Sequence, residues 1–299
     1  MLVLPLLLLS LTFILGLIIG SFLNVVIMRS EAGMPLTGRS HCDSCGKTLT
    51  WRELVPLLSF AYQKGRCLHC GTVLSVQYPL VEFGTGMVFA AIAGQAFYDA
   101  FIRGDAALLL ATCIFLMAAA AMIVIIVADF NYHIIPNGAA LFLFVLGIAA
   151  TLVRNGIVCV PGNARFLTVT YRCCDSSAAV AIPALCHPIW SGVLWDIAAS
   201  AGAILFFFAL WYFSKGAAMG FGDVKLIGAT SLLLGFPLSV VACVFAFWLG
   251  GLAGIAMLIA RTRGLKSQIA FGPFIIAGTV LAFLFGNSFL VHSGFAYIL

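Results

Sequence analysis

The stretch whose reading decides the fold is AALLLATCIFLMAAAAMIVIIVADF, residues 106–130. It carries no charge from Ala106 to Ala128, slightly more than the roughly 20 apolar residues a helix needs to cross a bilayer, and then meets Asp129. An acid at the edge of such a run is costly to place there and reads as functional. Asn131, Ile135, Pro136 and Asn137 follow, so the helix is expected to break just beyond the carboxyl.

Further runs of the same kind lie on either side: 1–28, 80–98, 134–153, 193–213 and 269–290. The segment 217–260 is too long for one crossing, and Gly235-Phe236-Pro237 in its middle is a turn signal that divides it. The reading is an all-α polytopic membrane protein of about eight transmembrane helices. Of the 299 residues, 63% are hydrophobic and 8% charged, and mean hydropathy is +1.16. A soluble chain carries about 25% charged residues, so a soluble protein is excluded. The run 1–28 lacks a basic start and a small-residue cleavage site before Arg29, and reads as a retained span.

The organisation expected is a first span at 1–28, a polar domain at 29–78, and a membrane domain at 79–290 with a second polar loop at 154–191. Eight spans place both termini on one side. Eleven basic residues fall on the opposite side or just beyond its loops: Arg29, Arg39, Lys47, Arg52, Lys64, Arg66, Lys215, Lys225, Arg261, Arg263 and Lys266. Only Arg103, Arg154, Arg165 and Arg172 fall on the termini's side. Loops rich in Lys and Arg stay cytoplasmic, so the domain at 29–78 is expected in the cytoplasm and both termini outside. The net charge of +5 is therefore read as topology, and no nucleic-acid partner is implied.

That polar domain holds Cys42-x-x-Cys45 and Cys67-x-x-Cys70, each pair followed by glycine, Gly46 and Gly71. Four thiolates in this spacing make a closed tetrahedral zinc site, structural because no position is left for water. A cytoplasmic location keeps the thiols reduced and favours zinc over two disulfides. His41 and His69 stand beside ligand cysteines as less favoured substitutes. In the loop at 154–191, Cys159, Cys173, Cys174 and Cys186 face an oxidising side, where a disulfide is expected; Cys113 and Cys243 read as small core residues.

A second acid, Asp223, lies in Met219-Gly220-Phe221-Gly222-Asp223-Val224-Lys225 at the mouth of a span, on the same face as Asp129. Gly220 and Gly222 allow close backbone approach and non-helical dihedrals around that carboxyl. Two carboxyls meeting in a low dielectric share a proton, one serving as base toward water and the other as acid toward a carbonyl. Lys225 is placed to pair with a carboxylate or a lipid phosphate. Glu82 and Asp196, nearer span ends, read as structural.

Gly220-Phe221-Gly222-Asp223 with Val224-Lys225-Leu226 resembles the GxGD signature of type IV prepilin peptidases, the bifunctional leader peptidases and N-methyltransferases of type IV pilus and type II secretion systems. Gly20-Ser21-Phe22-Leu23-Asn24-Val25-Val26 with Arg29 resembles that family's first-span exit, and the two CxxC pairs its zinc domain. Tyr78-Pro79-Leu80-Val81-Glu82 resembles the entry to the second span, Asp129 the first catalytic aspartate, and Phe271-Gly272-Pro273-Phe274 the last span. The loop at 154–191 is longer than the family's usual external loop, and Ala270 stands where proline is common.

The resemblance implies a bacterial inner-membrane aspartic endopeptidase. It would remove the leader of a prepilin or pseudopilin at the cytoplasmic face and then N-methylate the new N-terminal residue from S-adenosylmethionine. Asp129 and Asp223 would be catalytic, Gly220, Gly222 and Lys225 supporting, and Zn2+ structural. No glycine-rich nucleotide loop marks the methyl donor's place. The competing reading is a transporter or proton relay using the same two acids; inverted repeats would favour it, and none is evident.

Overall fold

The computed structural model describes residues 3–103, 106–155, 165–166, 169–170, 189–216, 219–259 and 270–293. Eight long helices and one short one make up almost all of the regular structure among them: α1 (Val3–Glu31), the short α2 (Leu58–Tyr62), α3 (Gln77–Arg103), α4 (Ala106–Tyr132), α5 (Asn137–Arg154), α6 (Ile189–Phe213), α7 (Phe221–Leu234), α8 (Leu238–Ile259) and α9 (Gly272–His292). A 3-10 turn, Trp51–Glu53, precedes α2, and two two-residue strands, Arg165–Phe166 and Val169–Thr170, pair antiparallel. The four cysteines at 159–186 lie outside the described residues.

Six of the long helices, α1, α4, α5, α6, α8 and α9, are long and apolar enough to cross a membrane. The chain is a multi-pass membrane protein. The other two are placed by packing. With 14 residues, α7 is about 21 Å long, short of a bilayer's hydrocarbon core, and it is buried from Leu226 to Leu234 at the bundle's centre. Its Leu226, Ile227 and Leu233 meet Leu143 of α5, Phe207 of α6, and Ile275 and Ile276 of α9 in one core cluster. The turn expected at Gly235-Phe236-Pro237 separates α7 from α8.

The remaining long helix, α3, runs beside α1. A β-carbon on Gly16 would lie 2.7 Å from the Gly86 Cα, and one on Gly20 would lie 2.8 Å from the Glu82 Cα. Glycines four apart thus let two backbones touch, which is how helices associate where lipid is as apolar as leucine.

Where α1 was expected to end near Met28, it continues to Glu31. The reason is Arg29, whose guanidinium donates to the carbonyls of Pro35, Thr37, Gly38 and Arg39, the Thr37 bond measuring 2.8 Å. A buried charge is thereby satisfied without leaving the helix, and the chain entering the cysteine domain is strapped to α1.

Asp196 behaves as a structural acid. Its Oδ2 pairs with Arg154 Nη2 at 2.9 Å and accepts from Asn155 at 2.8 Å, and its Oδ1 accepts the Phe236 amide at 2.7 Å. Arg154 also donates to the Leu233 and Leu232 carbonyls, so the orphan carbonyls ending α7 are capped by a buried ion pair from α5 and α6.

Candidate active site and metal centre

The GxGD segment opens α7. Gly220 is its N-cap in extended conformation, Gly222 is already helical, and neither has positive φ. The expected non-helical dihedrals are found at Gly220 alone, in an extended form open to any residue, and the expected close approach is found at Gly222. A β-carbon on Gly222 would lie 3.1–3.3 Å from three atoms of the Ile135 side chain. The Gly220 amide donates to Asp223 Oδ2 at 3.1 Å, which fixes the carboxyl over the helix start.

Asp129 sits one turn before the end of α4. His133 closes that turn by donating its amide to the Asp129 carbonyl at 3.0 Å, takes a left-handed φ of 55°, and releases the chain toward Pro136, the N-cap of α5. The break expected from Asn131 to Asn137 thus falls just after the carboxyl.

The structure brings Asp129 and Asp223 together. Both are buried, 5% and 6% exposed. Ile135 stands between the segments: the same side chain that meets Gly222 comes within 3.6 Å of a β-carbon built on Gly272, the first residue of α9. That β-carbon would lie 2.5 Å from Asp129 Oδ2. The Gly272 amide approaches this carboxyl, yet Oδ2 itself has no hydrogen-bond partner among the described residues. Lys225 points elsewhere, donating to Asn137 Oδ1 at 3.0 Å and lying over the Phe221 ring.

Gly272 and Ile135 were not legible as site residues. Their signal is steric, and the spacing of polar residues does not carry it. The Phe271-Gly272-Pro273 triplet was the available clue, since a proline beside a glycine at a helix start marks a fixed entry.

The four cysteines converge as their spacing predicts. Their Sγ atoms all lie within 4.8 Å of one another, with Cys42 and Cys70 3.9 Å apart. Tetrahedral zinc with Zn–S bonds of about 2.3 Å separates sulfurs by about 3.8 Å, so the donor set fits zinc. Each CxxC is the same knuckle. Cys42 and Cys67 donate their amides to Lys47 and Thr72, and accept from Gly46 and Gly71, whose φ values of 70° and 73° need glycine. The outer bonds repeat as well, Leu49 to Ser40 and Leu74 to Gly65, both 2.8 Å. The Thr72 side chain and backbone draw the Cys70 thiol down to about 6, favouring the thiolate that binds metal.

The two histidines stay out of the cluster. His69 Nε2 lies 3.3 Å from Glu53 Oε1, while the Thr50 amide and hydroxyl donate to Glu53 Oε2 at 2.8 and 2.7 Å. These Thr50 bonds, with His69 beside them, hold the Glu53 carboxyl below its ordinary range.

A membrane bundle with paired buried acids and a four-cysteine knuckle domain defines the class, and the comparisons give the family. Residues 14–96 match the model for the Bacterial Peptidase A24 N-terminal domain. A prepilin leader peptidase/N-methyltransferase of Bacillus subtilis (strain 168) is 30% identical over 94% of this chain and 96% of its own length. One from Aeromonas salmonicida (strain A449) is 27% identical over 95% and 93%. One from Myxococcus xanthus (strain DK1622) is 50% identical over 26% of this chain and 24% of its own length. No solved structure matches. The chain belongs to the prepilin leader peptidase/N-methyltransferase family.

Proposed function

We propose that this protein is an aspartic endopeptidase of the bacterial inner membrane that removes the leader of a type IV prepilin or pseudopilin and then methylates the new N-terminus. The observation that carries the first half is the meeting of Asp129 and Asp223, 94 positions apart in sequence, as two buried carboxyls where α4, α7 and α9 converge. Such a pair shares a proton: one carboxylate takes a proton from water as it attacks the scissile carbonyl, and the other acid protonates the carbonyl oxygen. Gly220 orients Asp223 through its amide, Gly222 and Gly272 keep the approach free of side chains, and Lys225 steadies the start of α5 through Asn137.

The substrate class follows from the relatives' name and from the site's place at a helix end, where an extended leader meets a hydrophobic helix. S-adenosylmethionine is the donor that the methylation half requires. Zinc held by Cys42, Cys45, Cys67 and Cys70 would fold the cytoplasmic domain and supply no chemistry. Cleavage on the cytoplasmic face is supported by the basic residues on that side of the bundle.

Incubating the purified protein with a prepilin and S-adenosylmethionine, and weighing the product N-terminus by mass spectrometry, tests both halves. Leader removal plus the mass of one methyl group is expected. An uncut prepilin, with a coupling ion bound at the two aspartates instead, would favour the transporter.

A further inference from the structure

The segment between the two knuckles makes a contact at an unexpected depth. Leu57 donates its amide to Glu82 Oε2 at 2.8 Å. Glu82 lies five residues inside α3, about 7.5 Å along its axis, and its Cα faces Gly20 of α1. Leu57 thus reaches well below the level at which α1 and α3 enter the domain, alongside the two helices.

The geometry of the tip is specific. Leu57 has φ 60° and ψ −47°, and Leu58 donates to Pro56 at 2.6 Å, a tight turn that ordinary residues avoid unless their surroundings impose it. The Glu82 carboxylate accepts the amide of the residue at its centre. Immediately after this tip, α2 presents Leu58, 70% exposed, and Tyr62, 80% exposed, four residues apart on one face. Trp51 and Leu54 are exposed just before it. At the same level, Leu80 and Phe83 of α3 are exposed as lipid-facing residues of a span are. Arg52, Lys64 and Arg66 are exposed on both flanks of the apolar stretch.

We infer that 51–62 is an interfacial anchor of the cysteine domain, with Leu58 and Tyr62 seated at the boundary between headgroups and acyl chains and Arg52, Lys64 and Arg66 among anionic headgroups. A short apolar face at that depth beside two spans meets lipid before it meets water, and the Trp and Tyr it carries are the residues that favour this layer. Glu82 is the peg that sets the depth. The cysteine domain therefore lies down on the bilayer beside α1 and α3 and does not stand off on its linkers. The basic flanks complement anionic lipid.

The test uses the full-length, zinc-loaded protein in vesicles of phosphatidylethanolamine and phosphatidylglycerol. A benzophenone-bearing amino acid replaces Leu58, Tyr62, Leu80 or Lys47 in turn, and photoadducts are identified by mass spectrometry. Phospholipid adducts at 58 and 62 are expected at about the yield seen at 80 and about tenfold above 47, an exposed knuckle position. A Glu82→Ala change, with zinc content as the check on folding, should cut the adducts at 58 several-fold. Adducts at 58 only to another copy of the chain, only to added prepilin, or none while 80 labels would each overturn the inference.

Discussion

Gly272 stands directly against Asp129. No β-carbon fits between the start of α9 and Oδ2 of the aspartate, because one built there would come within 2.5 Å of that oxygen. Gly272→Ala should therefore displace the carboxyl without touching the metal domain. Misplacement of a reacting group by an ångström costs about a hundredfold in rate, so prepilin cleavage should fall by about that factor while zinc content and membrane insertion stay as in the parent. Unchanged cleavage would detach α9 from the site.

Asp129→Asn and Asp223→Asn should each abolish leader cleavage, by about a thousandfold or more, because each carboxyl has its own proton to move. Cleavage measured on protein shown to be inserted checks this. Full activity in either variant would sink the aspartic mechanism.

Asp196→Asn should behave differently. It leaves Arg154 as a buried charge without its carboxylate, a loss of about 3 kcal/mol in a buried pair, so thermal unfolding should come at lower temperature. The cleavage rate of the still-folded fraction should stay close to the parent's. A selective loss of rate with unchanged melting would make Asp196 part of the chemistry.

Cys67→Ser should release the one zinc ion expected per chain and unfold the knuckle pair, since metal binding supplies most of such a domain's folding free energy. Leader cleavage should be reduced and methylation reduced further. Stoichiometric zinc in the variant would dismiss the four-thiolate site, and normal methylation without cleavage would reverse the division of labour.

The basic residues predict sidedness. A reporter that matures only outside the cytoplasm should be active when fused after Gly162 and silent when fused after Gly46. The opposite pattern would turn the protein over and expose the CxxC pairs to oxidation.

The local chemistry by itself determined much of this protein. Apolar runs such as 106–128 can only be membrane helices, because nothing else satisfies their backbone in lipid, and two CxxC-Gly repeats have the spacing of a four-thiolate metal site. The Asp129 and Asp223 candidates were legible because an acid at the end of an apolar run is costly and conspicuous. What tertiary structure alone decided is what stands around them. The encounter of Gly272 with Asp129, the wedge of Ile135 against Gly222, and the clamp of Arg154 and Asp196 on the end of α7 join segments far apart in sequence. The same holds for the reach of Leu57 to Glu82. A glycine needed for space looks in sequence like a glycine needed for a turn, and a buried ion pair looks like two surface charges. Only the packing of eight long helices, which sets which backbones touch and at what depth, tells them apart.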